Sequence, residues 1–227
     1  MAGSADFADA FLNPVVIDKY LPDILWGMVV TIQVAAAVIV TGIVAGLALA
    51  AARSFRIRPL NVLIVAYVDV FRALPPLVVI VIVYFGLPSV GITLSGFTVL
   101  WLVLSLVLAA FSEEIFWSGI LAIRRGQWEA ARSTGLGFVQ TLAWVILPQA
   151  VRMTVPPLTN RTIAITKNTA LGAVIGVPEI LMQAQTAQSF SGNATPLLLG
   201  AIAYIVLFVP VVAVGRWLET RFAWGRA

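Results

Sequence analysis

Residues 126–148 read GQWEAARSTGLGFVQTLAWVILP, a polar stretch that becomes amphipathic and lies between long apolar runs. Its core is the triplet Glu129-Ala130-Ala131, which is followed after three residues by Gly135 and after nine more by Val145-Ile146-Leu147-Pro148. Such an insert in an otherwise apolar chain predicts a segment that leaves the membrane between two spans.

The residues of this insert favour a short helix over about 127–135. Glu129 is expected in its first turn, where the positive end of the helix dipole stabilises a carboxylate. Ala130 and Ala131 combine high helix propensity with little bulk, so a partner surface can approach the backbone closely. Gly135 can adopt the left-handed conformation that ends a helix. On the residues alone, a docking helix and an ordinary interfacial helix are equally good interpretations.

The composition of the chain predicts a polytopic membrane protein. Of its 227 residues, 61% are hydrophobic and 11% are charged, and the mean hydropathy is +1.02. A soluble domain carries about a quarter charged residues. The net charge of +4 does not indicate nucleic-acid binding, because the basic residues lie in short gaps between apolar runs. Membrane lipid is therefore the expected surrounding.

Missing residue types exclude several kinds of site. The chain has no cysteine and no histidine, so zinc, haem and thiol sites lose their usual ligands and no metal site is predicted. It also lacks a GxxxxGK[ST] nucleotide-binding loop. The first residues, MAGSADFADAF, are acidic and lack the basic region of a cleavable signal peptide. Because histidine and cysteine are missing, a membrane-bound enzyme is poorly supported.

Five apolar runs are long enough to cross a bilayer of about 30 Å, and they form one predicted transmembrane domain over residues 1–227. They cover about 24–52, 60–86, 97–122, 150–177 and 197–217. Residues 1–22 are expected to form a loop or an interfacial segment, and the glutamine-rich stretch 179–195 an external loop. Gly42 and Gly46 form a GxxxG pattern that would allow close helix packing, although chance spacing explains it equally well.

The basic residues define an orientation. Of the 14, ten lie at or near one predicted side: Arg53, Arg56, Arg58, Arg124, Arg125, Arg132, Arg152, Arg216, Arg221 and Arg226. Loops rich in lysine and arginine stay in the cytoplasm. This predicts an N-terminus outside the cytoplasm, a C-terminus inside it, and a cytoplasmic position for the helix at 127–135.

Charged and amide side chains also fall within the predicted spans: Asp69, Arg72, Glu113, Glu114, Asn160, Arg161, Lys167 and Asn168. A charge at mid-bilayer costs at least about 2.5–3.5 kcal/mol, so such groups face partners, water or a pathway. A structural ion-pair cluster is favoured for Asp69 and Arg72. For the other charges a pathway role is an equally good interpretation. Pro156-Pro157 should interrupt the fourth span, and irregular backbone at that depth is tolerated where it lines a cavity.

Four groups of residues, in order along the chain, resemble motifs of the polar amino-acid ABC-importer permeases. They are YVDVFRALP at 67–75, GQWEAA at 126–131, LPQAVR at 147–152 with PPLTN at 156–160, and KNTAL at 167–171 with IGVPEIL at 175–181. The resemblance implies an all-α permease of the type I ABC-importer fold with five transmembrane helices. It also implies that the EAA segment is a cytoplasmic coupling helix, in which Gln127, Glu129, Ala130, Ala131 and Gly135 serve the contact with an ATPase.

The resemblance further implies the partners. The chain would be a multi-pass subunit of the bacterial inner membrane that pairs with itself or with a related permease. It would work with two cytoplasmic ABC ATPase subunits and with a periplasmic or lipoprotein amino-acid-binding protein. ATP and Mg would be held by the ATPase, so the chain itself would bind no cofactor and would not be an enzyme. The alternative is a secondary transporter or channel driven by an ion gradient through its intramembrane acids.

The chain departs from the family pattern mainly at the intramembrane charges. Ala73 and Leu74 stand where the family has Gly and Thr, and Trp117 stands where it has an arginine. Glu113 is an additional acid, and Asn168 replaces the usual aspartate. These departures leave the identity of the transported amino acid open.

Overall fold

The computed structural model describes residues 9–222, and over that range the chain forms helices and no strand. In chain order the helices are α1 (Pro14–Arg53), α2 (Arg58–Ala73), α3 (Pro76–Gly86), α4 (Gly96–Ala122), α5 (Arg125–Ser133), α6 (Phe138–Thr141), α7 (Leu147–Lys167), α8 (Ile180–Ser191) and α9 (Thr195–Phe222). Short 3₁₀ segments follow α3 at Leu87–Val90 and α7 at Asn168–Ile175, and a π-helical turn at Leu142–Ile146 precedes α7. Residues 1–8 lie outside the described residues, as does Arg226, one of the basic residues that define the predicted orientation.

Four helical segments in this part of the chain are long and apolar enough to cross a membrane. They are Asp9–Arg53, Gly96–Ala122, Phe138–Ile175 and Thr195–Phe222. A fifth span results if Arg58–Ala73 and Pro76–Val90, which are bent by 101° at their junction, are taken as one. The predicted all-α membrane fold is confirmed.

The first helix begins ten residues before the predicted span. Residues 14–22, expected to be a loop or an interfacial segment, belong to α1, so the expectation of a loop is wrong for them and an interfacial position stays a prediction. Asn13 caps the helix, since its Oδ1 accepts the N–H groups of Val15 and Val16 at 3.0 and 3.2 Å. Pro14 follows at the first helical position, where its fixed φ and missing N–H cost nothing.

The second predicted span, 60–86, is not one continuous helix. Its first part, α2, ends at Ala73, and Leu74 is extended, with φ −85° and ψ 134°. A residue that precedes a proline is driven out of the helical region by the proline ring, and Leu74 precedes Pro75. The chain resumes its helix at Pro76 in a new direction.

The predicted break at Pro156-Pro157 is also wrong, because α7 runs through both prolines. Packing against α4 holds α7 on either side of the pair. Leu158 is buried in a cluster with Phe116 and Ile120, and Gly119 lies so close to Thr154 that an added Cβ would be 2.5 Å from its methyl group. The irregular backbone lies upstream instead, in the π-helical turn ahead of Pro148, whose ring would clash with a carbonyl one turn earlier in a regular helix.

The glutamine-rich stretch predicted as an external loop contains helix α8. Glu179 caps its N-terminus by accepting the N–H groups of Leu181 and Met182 at 2.9 and 2.8 Å. Gly192 ends it in the left-handed conformation, with φ +64°. The expectation of a loop is therefore wrong for residues 180–191.

The chain packs into two compact units. One comprises the residues up to Ala37 together with 77–103 and 166–212, and its core contains Ile24, Ile180 and Ala203. The other comprises 38–76, 104–165 and the residues from Ala213 onward. Its core has two clusters, one around Phe116 and Ile146 and one around Ile64 and Val68. The single domain over 1–227 stays a prediction.

The GxxxG pattern of α1 lies in the second unit and packs directly against α4. A Cβ added at Gly42 would lie 2.8 Å from the side chain of Leu108. At Gly46 it would lie 2.4 Å from that of Ser112 and 2.9 Å from the backbone oxygen of Ala109. The two glycines therefore serve close helix packing, which the sequence had left open.

The candidate spans differ in how far they are buried. In α4, 67% of an apolar stretch of 18 residues is buried, whereas in α9 only 17% of such a stretch is buried. Helix α4 therefore supplies much of the packed interior, and α9 leaves most of its apolar surface uncovered by the described chain.

Candidate functional site

The predicted docking helix is α5, which begins just beyond the end of α4. Arg124 is extended, with ψ 135°, and separates the two helices. Gly126 lies in the first turn of α5. Glu129 lies in the second turn rather than the first, so the predicted interaction with the helix dipole is wrong. It accepts a hydrogen bond from Arg125 Nε at 2.8 Å, one turn earlier on the helix.

One face of α5 is held by the rest of its unit. The Trp128 indole stacks on the Phe138 ring with centroids 5.7 Å apart, and Phe138 meets Phe55 edge-on at 5.3 Å. Ala131 is buried on the same helix, so it is not part of the exposed surface that the sequence assigned to it. Glu129 and Ala130 are exposed. The helix thus presents a small, charged outer face over an aromatic anchor.

The end of α5 has the geometry predicted for it. Gly135 has φ +90°, and its N–H donates to the Arg132 carbonyl at 3.1 Å. Only glycine adopts this backbone conformation without strain. The chain therefore reverses at Gly135 and re-enters helix at Phe138.

A polar contact ties the start of α5 to the membrane helix α7. Gln149 Nε2 donates to Gln127 Oε1 at 3.4 Å and to the Val145 carbonyl at 2.6 Å. Gln127 itself is exposed. A displacement of α5 can therefore reach α7 through a side chain as well as along the backbone.

Three of the predicted intramembrane charges lie around one aromatic ring. Arg72 on α2 forms an ion pair with Glu114 on α4. The guanidinium carbon of Arg161 on α7 lies 3.2 Å from the ring centroid of Phe111, and that of Arg72 lies 5.6 Å from the same centroid. Two guanidinium groups and one carboxylate leave one positive charge in excess. The arrangement can bind an anionic group through the planar donors of arginine.

Asp69 does not join this cluster. It is exposed and forms no ion pair with any residue in the range 9–222, whereas Arg72 pairs with Glu114. The structural cluster predicted for Asp69 and Arg72 is therefore found for Arg72 alone.

The additional acid, Glu113, pairs with the end of α1. It is fully buried, and Arg53 Nη1 donates to both of its carboxylate oxygens, at 3.0 and 3.3 Å. The Arg53 guanidinium also lies 4.7 Å from the Trp117 ring centroid. Two of the departures from the family pattern, Glu113 and Trp117, thus belong to one contact. From the sequence, Arg53 was predicted only as one of the basic residues on the cytoplasmic side.

The remaining predicted pathway residues are not brought together. Asn160 is an exposed residue of α7. Lys167 is exposed and ends α7, and the half-buried Asn168 begins the 3₁₀ segment that follows. Lys167 has no ion-pair partner in the described part of the chain.

Glu179 is a buried polar residue for which the sequence analysis proposed no role. Besides the two N–H groups of α8, it accepts a hydrogen bond from the Tyr204 hydroxyl on α9 at 2.6 Å. Its backbone lies 3.0 Å from the position of a Cβ added at Gly27 on α1. Burial raises the pKa of the Glu179 carboxyl, although the hydrogen bonds from Tyr204, Leu181 and Met182 act in the opposite direction. An acid directly before the apolar run at 180–182 is a helix-start signal that could have revealed it.

Comparisons with known proteins find a matching family model and several relatives. A family model described as binding-protein-dependent transport system inner membrane component matches residues 39–224. The probable glutamine ABC transporter permease protein GlnP of Bacillus subtilis (strain 168) is 36% identical over 202 residues, which cover 87% of this chain and 93% of that protein. The arginine transport system permease protein ArtQ of the same organism is 32% identical, with coverages of 88% and 93%.

Two solved structures share the fold. The crystal structure of an amino acid ABC transporter with histidines superposes with a TM-score of 0.82 at 30% identity, covering 91% of this chain and 97% of that one. An inward-facing structure of the MetNI methionine ABC transporter has a TM-score of 0.65 at 21% identity, over 90% and 96% of the two chains. The second likeness shows the fold alone.

Proposed function

Because the chain belongs to the binding-protein-dependent transport system inner membrane components, the permease subunits of ABC importers, we propose that it forms the pathway of an ATP-driven amino-acid importer. The observation that carries this proposal is the match to that family over residues 39–224, within which α5 stands as a separate helix beyond the end of α4. The family implies an ATPase and a substrate-binding protein as partners. A transporter driven by an ion gradient is not favoured, since the relatives are ABC permease proteins.

Helix α5 is the part that would couple the pathway to ATP. Its outer face, with Glu129 and Ala130, would dock on the ATPase, and Gln127 and Gly135 would lie at the edges of the contact. Trp128 and Ala131 would hold the helix on the permease. Because Trp128 stacks on Phe138 and Gln127 contacts Gln149, a push on α5 would move α7 with it.

The cluster around Phe111 would contribute to the substrate pathway. An amino acid carries a carboxylate and an ammonium group, and the cluster offers Arg161 and Arg72 for the first and Glu114 for the second. Replacing Arg161 with glutamine should raise the substrate concentration needed for half-maximal uptake by about tenfold, the usual effect of losing one charge-assisted pair. A value unchanged from wild type would exclude the arginine from substrate contact.

The remaining features of the assembly belong to the same proposal. Two ATPase subunits and a second permease, identical or related, would complete the membrane complex, and ATP and Mg would be bound by the ATPases. This chain would hydrolyse no ATP itself. Its N-terminus would lie outside and its C-terminus in the cytoplasm, as the distribution of basic residues indicates. The other intramembrane residues proposed to line the pathway are Asp69, Glu113, Asn160, Lys167 and Asn168. Glu113 among them is buried in its pair with Arg53.

Uptake of labelled amino acids by cells that express the complete importer tests the coupling role. Glu129→Lys should abolish uptake by reversing the charge of the docking face. Gly135→Pro should do the same, because proline cannot adopt φ +90° and lacks the N–H that Arg132 accepts. Both variants should remain in the membrane at the wild-type level.

Matched controls separate docking from general damage. Glu219→Lys makes the same charge reversal on α9, and Gly135→Asn keeps a residue that tolerates the left-handed conformation. Both should transport normally. Normal uptake by Glu129→Lys or by Gly135→Pro would refute the docking role.

A further inference from the structure

A cavity of about 850 Å³ lies beside α5, at the ends of α1 and α4. Its walls combine basic and apolar side chains, among them Arg56, Arg124, Arg125, Arg132, Trp117 and Leu121. The function proposed above uses Glu129 from this lining and, Phe138 apart, assigns no role to the other lining residues outside α5.

The basic wall carries charge that residues 9–222 do not neutralise. Arg125 pairs with Glu129, which also lines the cavity. Arg56, Arg124 and Arg132 form no ion pair within the described ranges of the chain. Three arginines that line one cavity favour a ligand with a phosphate, since arginine binds phosphate oxygens through paired N–H donors.

The apolar wall makes a soluble anion a poor match. Trp117, Ile120 and Leu121 come from the last turns of α4, which ends at Ala122. The cavity therefore lies where a membrane span ends, at the level of the lipid headgroups. Leu121 is 62% exposed and Ile57, next to Arg56, is 51% exposed. An amphiphile with a charged head and an apolar tail satisfies both walls.

The backbone at Arg56 supplies an independent observation. Among the non-glycine residues in the part of the chain that the structure describes, Arg56 is the one with a positive φ, at 57°. Its N–H donates to the Arg53 carbonyl at 3.2 Å in the turn after α1. Strained backbone of this kind clusters at ligand sites, where it aims a side chain that a relaxed turn would direct elsewhere.

We propose that this cavity binds the headgroup of an anionic phospholipid. The phosphate lies among Arg56, Arg124 and Arg132, and the first part of the acyl chain lies along Trp117 and Leu121. The lipid then lies beside α5, and its site shares Glu129 with the proposed ATPase contact. This inference requires only that the chain is a membrane component, so it can fail or hold independently of the coupling role.

Native mass spectrometry of the full chain in a neutral detergent tests the proposal. The probes are phosphatidylglycerol and phosphatidylcholine with identical acyl chains. Wild type should retain the anionic lipid preferentially. Each arginine removed should lower that preference by about fivefold, so Arg56→Gln combined with Arg132→Gln should lower it by about 25-fold. The corresponding lysine pair, which keeps the charge, should retain most of it.

The matched control is Arg58→Gln combined with Arg221→Gln. It removes the same charge from the same predicted side of the membrane, at residues that do not line the cavity, and should leave the preference unchanged. Thermal unfolding in the same detergent reports whether each variant is folded. If the glutamine pair does not fold, the single variant Arg132→Gln, with its expected fivefold loss, takes its place.

Three results would overturn the proposal. An equal loss in the control pair would mean that the chain attracts anionic lipid through its total charge. Displacement of the lipid by millimolar inorganic phosphate would make the cavity a site for free anions. An unchanged lipid preference in the glutamine pair, with loss of ATPase co-purification, would assign the arginines to the protein partner.

Discussion

Replacing Glu179 tests whether a buried carboxylate holds α8 against α1 and α9. In the structure this side chain has three donors: the N–H groups of Leu181 and Met182 and the hydroxyl of Tyr204. It is fully buried. Glu179→Ala removes the acceptor for all three, whereas Glu179→Gln keeps the volume and one acceptor oxygen.

The expected loss in the free energy of unfolding follows from the number of hydrogen-bond donors left without an acceptor. A buried donor that loses its acceptor costs about 1–3 kcal/mol. Three such donors, partly compensated by water entering the space, give about 3–6 kcal/mol for Glu179→Ala. Glu179→Gln should cost only about 1–2 kcal/mol, because the Tyr204 hydroxyl can turn and accept a hydrogen bond from the new amide.

The pH dependence of stability distinguishes the effect of the titrating Glu179 carboxyl from the effect of its size and shape. Burial raises the pKa of Glu179 above its ordinary value of 4.5, so the folded chain holds this proton more tightly than the unfolded chain. The stabilisation from that proton is complete below about 4.5 and declines as the pH rises through the folded pKa. Glutamine does not titrate. The difference in stability between wild type and Glu179→Gln should therefore be largest in acid and should shrink towards neutral pH.

Thermal unfolding of the purified chain in a neutral detergent, followed from acidic to neutral pH, measures both effects. Glu219→Gln, which neutralises an acid of α9 that has no described ion pair, is the control and should unfold like wild type. An Ala variant as stable as wild type would refute the capping argument. A wild-type-to-Gln difference that does not change with pH would refute the raised pKa.

Further substitutions test the glycine packing and the ion pair that join α1 to α4. Gly46→Ala should destabilise the chain by about 1–3 kcal/mol through overpacking, because the new Cβ would lie 2.4 Å from Ser112; Gly126→Ala meets nothing within 4 Å and should stabilise α5 by about 0.5–1 kcal/mol. Equal melting temperatures for the two alanine variants would contradict this. Arg53→Gln should cost about 3–5 kcal/mol by leaving the Glu113 carboxylate buried and unpaired, and adding Glu113→Gln should recover most of that loss. No recovery in the double variant would show that Arg53 acts mainly through its contact with Trp117.

Features encoded by neighbouring residues were predictable from the sequence. The existence of α5, its end near Ser133 and the left-handed Gly135 follow from a helix-forming stretch and a glycine directly after it. The position of Glu129 within the helix was not predictable to one turn, because the start of α5 depends on the extended residue Arg124. Asn13 and Pro14 form an equally local helix-start signal. It was missed because the predicted span was begun at residue 24, where the uncharged apolar run starts.

Prolines show why local signals alone were insufficient. Pro75-Pro76 breaks a helix and Pro156-Pro157 does not, although each is a pair within an apolar run. At the first pair, Leu74 takes the extended conformation that proline favours in its predecessor. At the second, packing of Thr154 and Leu158 on α4 opposes that preference. The packing partners of a segment decide the outcome, and a single sequence does not identify them.

Position within the predicted spans identified candidates for the charge cluster but not its pairings. Arg72, Glu114 and Arg161 were all predicted to lie within spans, and the structure brings them together beside Phe111. The sequence did not separate Asp69 from them, because the length of an apolar run does not determine which way its helix is turned about its axis. Arg53 was missed for the related reason that its partner, Glu113, lies 60 residues away.

The contrast between α4 and α9 has a consequence for how the two helices evolve. On α4, 67% of the apolar stretch is buried, so most substitutions change a packed contact. The substitutions accepted on this helix should therefore be few and should conserve side-chain volume. On α9, where 17% is buried, most positions are constrained only to be apolar. Its sequence can drift among Leu, Ile, Val and Phe while a few positions, such as Tyr204, stay fixed. Mutational tolerance measured along the chain should therefore map the packed interior without any structural experiment.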